Sequence, residues 1–254
     1  MPLAPDQPRI AIVTGGGSGV GRAVSQAFCA EGWIVAIAGR RREPLEETQA
    51  TAKGPGRIEP YVADVTDELS VERLFDAVFE RHRRLDLLFN NAGINIPAVP
   101  LDEAKPEDLR SIVAINLLGS ILCARAAFRV MKAQTPSGGR IINNGSVSAY
   151  APRANSVPYT ATKHAITGLT KSLGLDGRQF NIVCSQIDIG NASTDMSAYI
   201  GAGAQQADGT VKPEPRIPVR YVADAVLHIA SLPLEANIPF LTLMASGMPL
   251  YGRG

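Results

Sequence analysis

The chain has 254 residues, 45% of them hydrophobic, which suits one large α/β domain with a sizeable core. A formal net charge of +1 gives no global field to draw in nucleic acid or an anionic membrane surface. The three cysteines, Cys29, Cys123 and Cys184, are too widely spaced for a disulfide framework or a metal site. They read as small buried hydrophobes in a reducing compartment.

Short apolar runs recur along the chain. They are Arg9–Thr14, Trp33–Ala38, Arg57–Ala63, Leu85–Asn91, Gly139–Ser146, Asn181–Ile187 and Pro239–Ala245. Their nearly continuous apolar character predicts strands buried on both faces of a parallel sheet. Helical patterns alternate with them. Val20, Ala23, Val24, Ala27 and Phe28 form one stripe, with Gly32 as a stop. Val71, Leu74, Phe75, Val78 and Phe79 form a second. Glu107–Lys132, Tyr159–Leu175 and Val222–Leu232 read as further helices, the first two entered through Pro106 and Pro158. The alternation predicts an α/β fold: a Rossmann-like, doubly wound parallel sheet of about seven strands with helices on both faces. Residues 1–254 read as one catalytic domain. Residues 201–218, rich in glycine, glutamine and proline, lack periodicity and read as part of a flexible, partly helical flap over about 194–218.

The start, MPLAPDQPR, lacks a basic-then-apolar leader pattern. No apolar run approaches the roughly 20 residues of a membrane span. A soluble cytoplasmic protein is the expectation. His82, His164 and His228 lack metal-ligand spacing and read as packing or surface groups, and no metal is expected.

TGGGSGVG, Thr14 to Gly21, follows the first predicted strand and opens a helix. Glycines there let the backbone approach a pyrophosphate at the positive end of the helix. Tyr159 and Lys163 stand four residues apart on a predicted helix, so they share a face. An ammonium near a phenol favours the phenolate, which makes Tyr159 a candidate general acid and base. Ser146 ends the fifth predicted strand, where its hydroxyl can hold a carbonyl or hydroxyl oxygen.

Five pieces in register resemble the short-chain dehydrogenase/reductase family. The Thr-Gly-x-x-x-Gly-x-Gly turn contributes Gly15, Ser18, Gly19, Val20 and Gly21. Asp64–Val65 resembles the family's adenine-contacting pair, and Asn90–Gly93, with Asn91 and Ala92, its motif after the fourth strand. Asn116 matches its helix asparagine. Ser146, thirteen residues before Tyr159, and YTATK, Tyr159 to Lys163, complete the set.

The resemblance implies a reaction. Tyr159 would exchange a proton with a ketone oxygen or a secondary alcohol, and Ser146 would polarise that oxygen. Lys163 would also bind the nicotinamide ribose, Asn116 would support a water chain, and Gly190 and Thr194 would meet the nicotinamide. By alignment to the family, Gly39 falls where an acidic residue would grip a ribose 2′-hydroxyl. Arg40 follows it, and a guanidinium fork suits a 2′-phosphate, so NADP(H) is expected over NAD(H).

The expected activity is an NADP(H)-dependent interconversion of a ketone or aldehyde with an alcohol, on a small-molecule substrate. A 3-oxoacyl-thioester reductase is the alternative, and a non-enzymatic nucleotide sensor a third reading. The chain departs from the family in places. Ile189 stands for a proline, and Ser185, Gln186 and Asp188 stand where apolar or asparagine residues are common. The tail MPLYGRG presents Met248, Leu250 and Tyr251 after the last strand, to pack on a neighbouring subunit or on its own pocket. A homo-oligomer, tetramer or dimer, is expected.

Overall fold

The computed structural model of the chain describes residues 7–206 and 208–250. All seven apolar runs are strands: β1 (Ile10–Thr14), β2 (Ile34–Gly39), β3 (Arg57–Val62), β4 (Leu87–Asn90), β5 (Gly139–Asn144), β6 (Ile182–Ile189) and β9 (Phe240–Leu243). They form one parallel sheet in the order β3-β2-β1-β4-β5-β6-β9. Side chains alternate between two cores. Ala11 and Val13, Val35 and Ile37, and Leu87 and Phe89 enter one, while Ile10 and Ile12, Ala36 and Ala38, and Leu88 enter the other. That is the period of two expected of strands covered on both sides.

Helices cover both faces. α1 (Gly19–Ala30) and α8 (Val219–Ser231) bury Val24, Phe28, Val222 and Val226 in the first core. α3 (Glu68–His82) and α5 (Ser120–Ala133) bury Val71, Phe75, Cys123 and Met131 in the second. α6 (Val157–Asp176) starts at the turn carrying Pro158. All three cysteines are buried, as their apolar settings predict. α2 (Arg42–Ala50) was not predicted. Its sequence REPLEETQA buries only Leu45 and Thr48, which leaves no apolar stripe to read.

The long helix expected at Glu107–Lys132 is one rod, Pro106–Ala133, in three parts: α4 (Pro106–Val113), a π-helical segment (Ala114–Gly119) and α5. Its 28 residues are long and apolar enough to cross a membrane by length and composition, contrary to the expectation that no run approaches that. The apolarity has a nearer cause: 44% of its most apolar window is buried within the fold.

The flap has structure of its own. α7 (Ala198–Ala202) leads into a hairpin of β7 (Ala204–Gln205) and β8 (Val211–Lys212). Ala192, in the turn after β6, and Ile217, after the hairpin, form an isolated parallel bridge. A buried ion pair anchors the flap. Arg153 donates to both oxygens of Glu214, at 2.7 and 2.5 Å, and to Asn191 Oδ1 at 3.1 Å. Asn191 and Gln206 donate to the same carboxylate at 2.8 and 3.0 Å. The Glu214 side chain is 2% exposed.

Of the two placements expected for the tail, a neighbouring subunit or its own pocket, the described part takes the second. Met248 and Leu250 are buried against Val147 and Ala245, so the segment after β9 packs on its own chain. Tyr251 lies outside the described residues.

Burial pushes the Glu214 carboxyl up, but the hydrogen bonds from Arg153, Asn191 and Gln206 outweigh it and hold the group at about 2. A carboxyl held below its unfolded value stabilises the fold above that value, and the contribution fades as pH falls through the folded one. Arg153→Ala leaves a buried carboxylate without its cation and is expected to cost about 3–5 kcal/mol in urea unfolding at neutral pH. The difference from wild type should narrow as pH falls from about 5 towards 2. A gap that stays constant over that range would show that the ion pair does not hold the flap.

Candidate active site

The glycine turn is built for close approach. Gly15 and Gly19 have φ of +68° and +51°, in the left-handed region that suits glycine. A side chain on Gly21 would overlap the Gly15 carbonyl and come within 2.7 Å of Asn91 Nδ2. Arg22 braces the turn by donating to the Gly17 carbonyl at 2.7 Å. Ser18 caps α1 with extended backbone, is exposed, and makes no side-chain cap bond. The first-turn N–H groups of α1 therefore lack the usual internal acceptor, which is the condition for binding an anion.

A run of hydrogen bonds fixes the floor of the site. Thr14 Oγ1 accepts from the backbone N–H of Asn91 and of Ala92, at 2.9 and 3.0 Å. Asn91 Nδ2 donates to the Thr14 carbonyl at 2.8 Å, and its Oδ1 accepts from Asn144 Nδ2 at 2.8 Å. Lys163 Nζ donates to the Asn144 carbonyl at 2.7 Å. Asn90, buried, ties the same region to Ser120 and Asn143.

The catalytic candidates share this floor. Lys163 Nζ lies 5.6 Å from the centre of the Tyr159 ring. Burial pushes the lysine down to about 8, partly opposed by Asp188. Ser146 caps a short helical turn, and its hydroxyl accepts from the Ser148 N–H at 3.1 Å. Asn116 sits in the π-helical segment, a type of irregularity frequent at functional sites. Its amide grips Ile94 from both ends, accepting from its N–H at 2.8 Å and donating to its carbonyl at 2.9 Å.

One cleft of about 340 Å³ gathers most of the expected residues. Gly15, Ser18–Gly21 and Asn91–Gly93 line it. Asn116, Ser146, Tyr159 and Lys163 line it too, as do Gly190 and Thr194, and Thr194 lies beside Gly19. The three remaining candidates are outside its lining. Arg40 is exposed immediately after β2. Asp64 follows β3, and its carboxylate accepts from the Thr66 N–H and hydroxyl at 2.9 and 2.8 Å. Val65 is buried where a side chain on Gly119 would strike it. All three stand at the carboxyl ends of β2 and β3, the same edge of the sheet as the glycine turn.

Gly190 lines the cleft, but its missing side chain has a different cause from the one expected. A Cβ there would meet Met244 at 2.5 Å and Met248 Sδ at 2.9 Å, so the glycine admits the segment after β9. Thr194 caps the next turn with a reciprocal Ser197 bond, and its methyl lies 3.2 Å from the place of a Gly19 side chain. Three residues around the cleft were not among the expected site residues. Thr14 stands at a strand end, where polarity is ordinary. Arg153 finds its partner 61 positions away. Met248 reaches the cleft from beyond the last strand.

Comparison with known proteins agrees with this geometry. Residues 9–205 match the family model described as short chain dehydrogenase. The chain is 35% identical over 245 residues to a short-chain dehydrogenase, anuF, of Penicillium roqueforti (strain FM164), covering 87% of this chain and 89% of that protein. It is 29% identical over 236 residues to sulfoacetaldehyde reductase 2 of Chromohalobacter salexigens, covering 92% and 93%. The crystal structure of a metagenomic short-chain oxidoreductase in complex with NADP has a TM-score of 0.78 and 26% identity, over 94% of this chain and 97% of that one. The chain belongs to the short-chain dehydrogenase/reductase family and is an NAD(P)-dependent oxidoreductase.

Proposed function

We propose that the protein uses NADP(H) to interconvert a small ketone or aldehyde with its alcohol, through Tyr159, Lys163 and Ser146. The observation that carries this reading is their convergence, with the glycine turn, on one cleft. The residues fit a dinucleotide: two left-handed glycines, an uncapped helix start and a free Ser18 hydroxyl stand where a pyrophosphate would lie. The cofactor, when bound, supplies the hydride.

The chain's own groups do the rest. The Ser146 hydroxyl donates to the substrate oxygen and holds it near Tyr159. Tyr159 gives that oxygen its proton during reduction and takes one during oxidation. The buried Lys163 ammonium lies over the Tyr159 ring side and favours the phenolate that remains after proton transfer. Asn116 keeps the Ile94 backbone in place in the cleft lining. Ile94, Ile96, Ile200 and Met248 mix with Asn95 and Asn155 at the substrate end, a lining suited to a modest organic carbonyl.

Cofactor choice rests on Arg40 and Arg41. Among the described residues neither has a carboxylate partner, whereas Arg42 pairs with Glu46 at 3.6 Å. Two uncompensated guanidinium groups follow the strand that ends in Gly39, where no acid opposes a 2′-phosphate.

Two measurements test the reading. Tyr159→Phe should lower turnover by at least about a thousandfold, on the best substrate of an NADPH-oxidation screen over ketones, aldehydes and 3-oxoacyl esters. NADPH binding, followed by cofactor fluorescence, should stay close to wild type. Retained turnover in Tyr159→Phe overturns the mechanism. Arg40→Ala should weaken NADPH binding roughly tenfold or more and leave NADH binding nearly unchanged. Equal losses for both cofactors overturn the NADP(H) preference.

A further inference from the structure

β6 is buried along nearly its whole length, yet it carries a carboxylate at Asp188 that is 0% exposed. A strand covered on both faces is normally apolar, and an ionised group there needs partners to be tolerated. Asp188 has three. Its Oδ1 accepts from the Ser146 N–H at 2.9 Å and from Gln186 Nε2 at 2.7 Å. Its Oδ2 accepts from the Tyr150 hydroxyl at 2.5 Å. Gly145 makes room for it, since a side chain at that position would overlap Oδ1.

The carboxylate is itself held in place. Gln186 donates to Thr167 Oγ1 at 3.1 Å, and its Oε1 accepts from Thr170 at 3.0 Å. Both threonines belong to α6, the helix that carries Tyr159 and Lys163. Asp188 therefore connects that helix to the backbone of Ser146. It also favours the charged form of the buried Lys163.

We propose that Asp188 is a positioning residue for the reaction: its carboxylate fixes the Ser146 backbone and balances the buried Lys163 ammonium. The proposal rests on the Tyr159–Lys163–Ser146 reading above. Ser146 supplies a hydroxyl whose direction depends on its backbone, and that backbone hangs on Oδ1. Lys163 sits where burial opposes its charge, and Asp188 favours that charge.

The groups facing Asp188 are few. Lys163 lies on α6, and Tyr150 on the turn after β5. Burial first, and then Asp188 itself, push the Tyr150 phenol up, which keeps it a donor. On β9 the residue paired with Asp188 is Thr242, which is uncharged. On β6 the Cys184 thiol is pushed up to about 12 by burial and stays neutral. Beyond the strand end, Arg153 and Glu214 neutralise one another. Removing the Asp188 charge therefore moves the proton equilibrium of Lys163 towards lower pH.

Asp188→Asn keeps the shape and removes the charge. With NADPH and the best ketone of the screen, its kcat should fall roughly tenfold to a hundredfold. Its pH–rate profile should move about one unit to lower pH, with NADPH binding retained. Tyr150→Phe removes a donor but not the charge, so its profile should stay within a few tenths of a unit of wild type. Tyr159→Phe, run in parallel, separates the two ideas. If it is inactive while Asp188→Asn has the wild-type rate and profile, the Asp188 proposal fails and the mechanism stands. If Tyr159→Phe is active, the mechanism itself fails. Should Asp188→Asn not fold, Gln186→Ala/Asp188→Ala removes the carboxylate and a donor together, and the same profile shift is expected. A folded double variant with the wild-type profile, or loss of folding in both variants, overturns the proposal and leaves Asp188 a structural residue.

Discussion

The structure depends on a chain of hydrogen bonds across the carboxyl ends of β1, β4 and β5. It starts at Thr14, passes through Asn91 and Asn144, and ends on Lys163 of α6. A parallel sheet covered on both faces has no room for polar groups except at strand ends. Polar chemistry is therefore confined to its edges. The sheet order places β1 beside β4, where successive crossovers leave in opposite directions. The crevice that opens there receives the glycine turn from one side and the Tyr159–Lys163 helix from the other. Because their floor is one bonded run, the glycine turn and the Tyr159–Lys163 helix are anchored to the same strand ends.

Much of this was legible in residue pattern. Ile10–Val13 and Leu87–Phe89 read as strands because burial on both faces demands continuous apolar character. The spacing of Tyr159 and Lys163 is a helical fact that survives any uncertainty about where α6 begins. α2 was invisible for the converse reason: a helix that buries Leu45 and Thr48 alone has no stripe. The long helix misled on polarity, since a rod packed under a sheet is as apolar as one packed in lipid. Arg153 and Glu214 could not be matched, because charge complementarity across 61 positions leaves no mark in local sequence. Asp188 lies between these cases. Its oddity in a strand was plain, while its three donors come from places that only the fold brings together.

Polar residues inside this protein are placed as pairs and small networks. Arg140, 2% exposed on β5, has no carboxylate partner among the described residues, and donates instead to Asn237 at 2.7 Å and to the Ala236 carbonyl at 2.9 Å. It secures the loop before β9 from the end of the sheet opposite the cleft. Glu214 secures the flap, and Asp188 the turn that bears Ser146. Arg140, Glu214 and Asp188 thus each tie down one irregular segment that the ladder of strands does not hold. This is the role open to an ion in a low-dielectric interior once its hydrogen bonds are satisfied.

Gly190 carries a consequence of another kind. Its bare α-carbon is filled by Met244 and Met248, and Met248 also forms part of the cleft wall. β9, which brings these methionines in, adds to the sheet only against β6. A nascent chain leaving the ribosome from its N-terminus can lay β1, β2 and β4 together with the glycine turn early. The wall behind Gly190 has to wait. That wall is therefore closed by a segment made after Ser146, Tyr159 and Lys163 have all been synthesised.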